Sequence, residues 1–434
     1  MEKFTVFWFR RDLRISDNKG LYEALKGSNR VIPIFIYDSD IIDDLKKDDH
    51  RLTFIENALG GINNAMKRNR CSIGTYRGTP KAIFKKLLQE YPIEKVIANH
   101  DYEPYANHRD KEIQKLLQSE GVDFVTFKDH VVFEKDEVIK DDGNPYVVYT
   151  PYCRKWIAKF ETEGIENYPS ESLLDNLYND AALPSLSLAD MGYKKSDLIP
   201  VAFKFDNEVI DSYEATRNFP ATDSTSRLGV HLRFGTQSVR KLISKSAERD
   251  NPTFLKELIW REFFMQILWH FPHTKDQSFK KQYDRIVWRN QEEEFEKWCS
   301  GTTGYPLVDA GMRQLNSTGF MHNRVRMLVA SFLCKHLLID WRWGEAYFAE
   351  KLFDYEMASN VGNWQWAAGS GVDAAPYFRI FNPHEQIKKF DKGLNYINQW
   401  VEDFNEPSYP APIVEHKMAR ERCLTSYKSA LQPA

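Results

Sequence analysis

Two indoles, Trp364 and Trp366, stand close together in NVGNWQWAAGSG (360–371) among glycines and small polar residues. Each indole buries a large ring and needs a partner for its N–H. Glycine lets another body approach the backbone. The pair therefore either plugs a core or faces something flat. In STSRL (224–228) the hydroxyls of Thr225 and Ser226 and the guanidinium of Arg227 form a donor set suited to a diphosphate, the more so beside a helix start. The same residues suit a helix N-cap followed by a surface arginine. Glu257 lies three residues before Trp260 in LKELIWREFF (255–264), so a carboxylate and an indole share one helix face. Read alone, Asn360 before Val-Gly suits a turn or a cap. Arg217, Arg261, Arg324 and Arg379 could meet phosphates through charge and counterion release, or simply form a solvated face.

These residues need a scaffold. The chain has 434 residues, which predicts two or three domains, and 42% hydrophobic with 28% charged residues describes a globular protein. The net charge of −3 rules out a general polycation, so any nucleic-acid contact must use a local basic patch. No apolar run reaches membrane-spanning length. The start, MEKFTVFWFRRDLR, lacks a signal-peptide layout. Cys71, Cys153, Cys299, Cys334 and Cys423 are widely spaced without a C-x-x-C, which predicts reduced thiols, a cytoplasmic protein and no metal site. Of 11 tryptophans only Trp8 and Trp156 fall in the first 200 residues, so the two halves are built for different tasks.

Short apolar runs at 5–9, 31–37, 72–76, 95–99 and 123–127 alternate with amphipathic helical patterns over residues 1–130. This predicts an α/β domain with a doubly wound, Rossmann-like parallel sheet. The first strand is not followed by G-x-G-x-x-G, so the dinucleotide fingerprint is missing. Residues 131–204 read as a long ordered connector, and residues 205–434 show helical periodicity, predicting an all-α domain.

Within that second half five segments follow in order: ATDSTSRLGVHL (221–232), LKELIWREFF (255–264), TGYPLVDAGMRQLNSTGFMHNRVRM (303–327), IDWRWGEAYF (339–348) and DYEMASNVGNWQWAAGSGVDAAPYFRIFNP (354–383). Together with VFWFRRDLRISDN (6–18) they resemble the DNA photolyase/cryptochrome family, and within it the class I cyclobutane pyrimidine dimer photolyases. The resemblance spans nearly the whole chain and implies a helical domain holding FAD. In that family, photoexcited reduced FAD passes an electron to a cyclobutane dimer in DNA, the dimer splits, and the electron returns. UV-damaged DNA is then the partner, and the implied state is a monomer.

Carried over residue by residue, the resemblance makes Thr225, Ser226, Arg227 and Leu228 the diphosphate loop, with Gly229 where many relatives have serine and Tyr213 as an upstream flavin contact. Arg326 and Asp354 match the pair against the isoalloxazine, where they would also stabilise negative charge on the ring. Glu356 stands where the family often has Asp, and Asn360 matches the residue facing flavin N5. Plant cryptochromes typically carry Asp there and animal ones Cys, so Asn360 points to repair. A flipped-out dimer would lie against Trp260 and Trp366, with Glu257, Asn323 and Met327 around it. Arg217, Arg261, Arg324, Arg379 and Gln386 take the DNA-contact positions. His322 lies where relatives acting on (6-4) photoproducts use a histidine acid, yet the surrounding pattern is that of the cyclobutane class. Trp288, Trp341 and Trp364 match an electron relay from surface to flavin. Near NHDYEPYANHRD (99–110) many relatives hold a second, antenna chromophore. Tyr105 and Ala106 replace the Asn and Glu expected for folate, so folate, deazaflavin, flavin or none stays open. The rival readings are a blue-light sensor of the cryptochrome type and a flavoprotein that binds DNA without repair.

Overall fold

Five short strands form one parallel sheet in the order β3-β2-β1-β4-β5. They are β1 (Phe4–Phe9), β2 (Arg30–Asp38), β3 (Gly74–Gly78), β4 (Ile93–Asn99) and β5 (Asp123–Phe127). The computed structural model describes residues 2–432. Every residue of β1 is buried, as a central strand covered on both faces requires. Its register is unbroken against β2, from Phe4 opposite Arg30 to Phe9 opposite Phe35. Crossover helices Lys19–Lys26, His50–Met66, Pro80–Glu90 and Pro104–Ser119 return the chain, three of them started by Asn18, Asp49 and Thr79 accepting backbone N–H groups. β3 starts two residues later than the apolar run suggests, because the Ile73 N–H is taken by Asn63 Oδ1 at 2.8 Å.

The chain divides into two compact units. The first holds residues 1–137, 157–199 and 229–248; the second holds 138–156, 200–228 and 249–434. The expected connector, 131–204, is thus shared between the two, and 229–248 leaves the expected helical domain to join the sheet unit. The reason lies in a buried ionic network. Arg14 donates to both oxygens of Asp129 at 2.9 and 2.7 Å and to the Gly235 carbonyl at 3.0 Å. Arg240 donates to Asp129 at 2.9 Å and to Asp17 at 3.1 Å. Gly235 has φ 64°, and a Cβ there would lie 2.1 Å from the Arg11 carbonyl oxygen, so only glycine lets this segment close on the first unit.

The second unit is helical. Its core joins Trp298, Val325, Val329, Leu333, Trp341, Val361, Trp364 and Tyr396, all nearly inaccessible. The helices that matter for the site are Asn207–Thr216, Thr253–His270, Asn323–Ser331, Trp341–Lys351, Met357–Ala368 and Pro383–Phe390. Gly344 seats one against another: a Cβ there would meet the Trp364 ring at 2.1 Å. Among the described residues no helix is long and apolar enough to cross a membrane.

Candidate functional site

The Asn323–Ser331 and Met357–Ala368 helices wall a cleft of about 590 Å³, open space included, large enough for a cofactor's ring system. Asn323, Arg326 and Met327 line one side; Asn360, Trp364 and Trp366 line the other, with Asp354 and Glu356 at its edge. Eight residues singled out in the sequence thus meet in one cavity. Arg326 and Asp354 form a bidentate pair, at 3.1 and 2.9 Å, and the guanidinium is held further by Nε donating to the Met321 carbonyl at 2.7 Å. Asn360 donates from its amide to the Glu345 carbonyl at 3.1 Å and to Glu345 Oε1 at 2.9 Å. These bonds fix which end of the amide is a donor and leave its oxygen as the free acceptor. Burial raises the Glu345 carboxyl, partly offset by the Asn360 bond. Glu345 was missed in the sequence; the only signal was its place in IDWRWGEAYF.

The STSRL loop carries the second feature. Ser224 Oγ, Thr225 Oγ1 and Arg227 Nε and Nη1 are buried without a protein partner. Buried donors normally find acceptors. Arg227 adopts φ 57°, and its guanidinium lies 3.9 Å over the Phe320 ring while Nη2 reaches Asp223 at 3.3 Å. Two hydroxyls and a cation with unused donors on a strained loop suit a diphosphate, so these residues fit FAD. Ser224 and Phe320 were not foreseen. Leu228 is buried, and Gly229 opens the short Gly229–Arg233 helix of the first unit. Tyr213 packs edge-on against Phe254 at 5.0 Å.

The expected dimer wall is arranged differently from the simplest picture. Trp260 lies flat on Tyr149, centroids 3.6 Å apart at 9°, and packs on Phe264 at 5.5 Å. Tyr149 is itself pinned, its hydroxyl donating to the Lys256 carbonyl at 2.7 Å. One indole face is therefore covered, and Trp260 lies outside the cleft lining that holds Trp366. Glu257 is paired with Arg217, and both side chains are about one third exposed, so the carboxylate expected at the dimer and the cation expected at a phosphate stand side by side. Arg261 is also spent inside, its guanidinium 11% exposed and 3.3 Å from Glu356. Arg324 is half-buried and hydrogen-bonds the Asn218 side chain. It lies over Phe390 at 4.4 Å, reaches Met327 Sδ at 3.7 Å, and its pKa is lowered by burial and by Arg217 and Arg379 nearby. Arg379 is exposed, and Gln386 is half-buried on the Pro383–Phe390 helix. His322 caps the Asn323–Ser331 helix, its Nδ1 accepting the Arg324 N–H at 3.1 Å. Burial, then Arg227, Arg326 and Arg324, pull its pKa down to about 4.

Trp341 and Trp364 are 1% and 2% exposed, and Trp288 packs at the rim of the same cluster. Trp288 meets Tyr427 edge-on at 6.0 Å, and Arg342 lies 4.7 Å over Trp341. Trp298, not foreseen, meets Trp364 edge-on at 6.1 Å. In the first unit, Tyr105 donates to Asp38 at 2.6 Å, Ala106 is buried, and Arg10 and Arg109 each lie 4.9 Å from the Trp8 ring.

Residues 254–408 match the family described as the FAD binding domain of DNA photolyase, and residues 5–171 match the one described as DNA photolyase. The deoxyribodipyrimidine photo-lyase of Synechococcus sp. is 34% identical over 97% of this chain and 96% of its own length. That of Escherichia coli K12 is also 34% identical, over 98% of each. A bacterial class III photolyase from Agrobacterium tumefaciens is similar in structure, with TM-score 0.86, 32% identity, and coverage of 99% of this chain and 98% of the other. An archaeal photolyase from Sulfolobus tokodaii, solved with two FAD molecules, gives TM-score 0.84 at 32% identity, covering 98% and 100%. A parallel α/β unit followed by a helical unit with this cleft and this donor loop defines a flavin-nucleotide-binding protein. The chain belongs to the DNA photolyase/cryptochrome family and carries its FAD-binding domain.

Proposed function

We propose that this chain repairs cyclobutane pyrimidine dimers in UV-damaged DNA by light-driven electron transfer, in the manner of the class I enzymes. The observation that carries the reading is the single cleft in which Asn360 and the Arg326–Asp354 pair stand beside Asn323, Met327 and Trp366. Bound and reduced, FAD supplies on excitation by blue light an electron that opens the cyclobutane ring and is then recovered. Thr225, Ser226 and Arg227, with Ser224, hold the diphosphate. The Asn360 amide oxygen, oriented by Glu345, is the acceptor that a protonated flavin N5 would meet. Arg326 balances negative charge near the ring while Asp354 keeps the guanidinium from excess. Trp366 offers an apolar wall, Met327 a polarisable contact and Asn323 paired donor and acceptor groups to a flipped-out dimer. Arg324 and Arg379 contribute the local cation density that phosphate contact needs in a chain of net charge −3. Trp364, Trp341 and Trp288 would carry electrons from a reductant at the surface toward bound, oxidised flavin.

The state of His322 supports the choice of lesion. A pKa near 4 leaves it neutral at physiological pH, and its Nδ1 is engaged as a helix cap. A neutral, capping imidazole suits the cyclobutane reading better than that of an acid for a (6-4) photoproduct. The test is to illuminate reduced protein with oligonucleotides bearing a cyclobutane dimer, a (6-4) photoproduct or no lesion, and to separate the products by chromatography. The cyclobutane substrate alone is expected to return intact thymines, and only in light. Conversion of the (6-4) substrate instead would overturn the assignment of lesion, and no conversion of either, with FAD bound, would favour the sensor reading.

A further inference from the structure

The Asn323–Ser331 helix runs on into a π-helical turn, Phe332–Leu337, closed by Leu338 at φ 54°. Such turns are rare and often lie at functional sites. Within it Lys335 is 1% exposed, and its Nζ donates to the Arg379 carbonyl at 2.9 Å across 44 residues of sequence. Burial lowers the ammonium to about 8. An aliphatic side chain would fill the same space without desolvating a charge. Keeping a lysine there makes sense only if its hydrogen bond does something the hydrocarbon could not.

The carbonyl it holds belongs to the loop 371–381. In that loop the Arg379 N–H donates to the Pro376 carbonyl at 2.8 Å, closing a tight turn. Tyr377 stacks on the buried Tyr427, centroids 5.7 Å apart at 12°. A stacked ring thus holds the turn at one position and Lys335 holds it at another. The Arg379 side chain itself is exposed, and it lies close enough to Arg324 to act on its charge. We propose that Lys335 is a positioning residue for DNA recognition: by fixing the Arg379 carbonyl it sets the backbone from which the Arg379 guanidinium meets a DNA phosphate. This rests on the DNA-repair reading above.

The test compares Lys335→Met, Arg379→Ala and the double variant of the FAD-loaded protein, binding dimer-containing duplex over a range of salt concentrations. Lys335→Met should weaken binding about tenfold and lower the slope of log K against log salt by about one, the signature of one lost phosphate contact. Flavin content should not change. The double variant should bind no more weakly than Arg379→Ala alone, Lys335→Arg should recover part of the loss, and amide exchange should quicken at 377–381. Additive losses, or an unchanged salt slope, would overturn the proposal. If Lys335→Met does not fold, Lys335→Gln is read by the same exchange and salt slope, and an unaltered loop with an unaltered slope overturns it equally. A wild-type protein without preference for dimer-containing DNA removes the function reading; a wild type with that preference but no response to Lys335→Met removes only this inference.

Discussion

In the sheet unit Asp129 receives two arginines and Asp17 receives one, while in the helical unit Ser224 Oγ, Thr225 Oγ1 and two nitrogens of Arg227 are buried without a hydrogen-bond partner in the protein. Both sets are polar and enclosed, yet they do opposite things. The first closes on itself, and burial of Asp129, which alone would push its carboxyl up, is more than offset by Arg14 and Arg240, so the group ends well below the usual carboxylate range. The second keeps its hydrogen-bonding capacity unused, several donors clustered in one loop, which is the arrangement a ligand completes. The closed network belongs to the scaffold; the loop with unused donors is the one that fits a ligand.

That contrast can be broken most forcefully at Asp129. Asp129→Ala would strand two buried guanidinium groups and should lower stability by about 3–5 kcal/mol in urea unfolding; a loss within experimental error would mean the network is not structural. The next effect is a pH dependence. His322 has a folded pKa of about 4 against about 6.5 when unfolded, so the unfolded chain takes up the proton first and stability falls as pH drops from about 6.5 to 4, by roughly 3 kcal/mol at most. His322→Asn, which keeps a capping acceptor, should flatten that stretch of the stability curve. Arg227→Ala should then weaken FAD binding by about 1.5–3 kcal/mol, the range for a charge-assisted hydrogen bond, read as flavin content and by FAD titration. Trp260→Ala should weaken binding of dimer-containing DNA by roughly 1–3 kcal/mol, measured by titration. Because Tyr149 covers one face of that ring, Tyr149→Ala should reproduce part of the loss, and Tyr149→Phe little of it. The smallest effect on repair is expected for Trp288→Phe: photoreduction of oxidised FAD slows, while repair by pre-reduced protein stays nearly unchanged.

Much of this was legible in the sequence, for identifiable reasons. The strands of the sheet are short apolar runs between amphipathic helices, a local pattern that needs no tertiary knowledge. The cleft residues were found through long ordered motifs, and Asn323, Arg326, Met327, Asp354, Glu356, Asn360, Trp364 and Trp366 do converge. What the letters could not show was pairing. Arg217 with Glu257 and Arg261 with Glu356 each joined two residues that had been given separate tasks. Tyr149 lies 111 positions before Trp260 yet stacks on it, and Glu345 lies 15 before Asn360 yet orients it. The passage of 229–248 to the sheet unit also depended on distant partners, Asp17 and Asp129, for Arg240. Contacts of that kind carry no periodicity.

The most direct test of the central claim is the fluorescence lifetime of the reduced, FAD-loaded protein with dimer-containing and with undamaged duplex, followed together with the return of thymine absorbance under blue light. Transfer of an electron to the dimer predicts a shorter lifetime with the damaged duplex only, and recovery of thymine in light but not in the dark. Equal lifetimes with both duplexes and no recovery, in a protein that binds FAD and damaged DNA, would contradict repair and leave the cleft to a sensor.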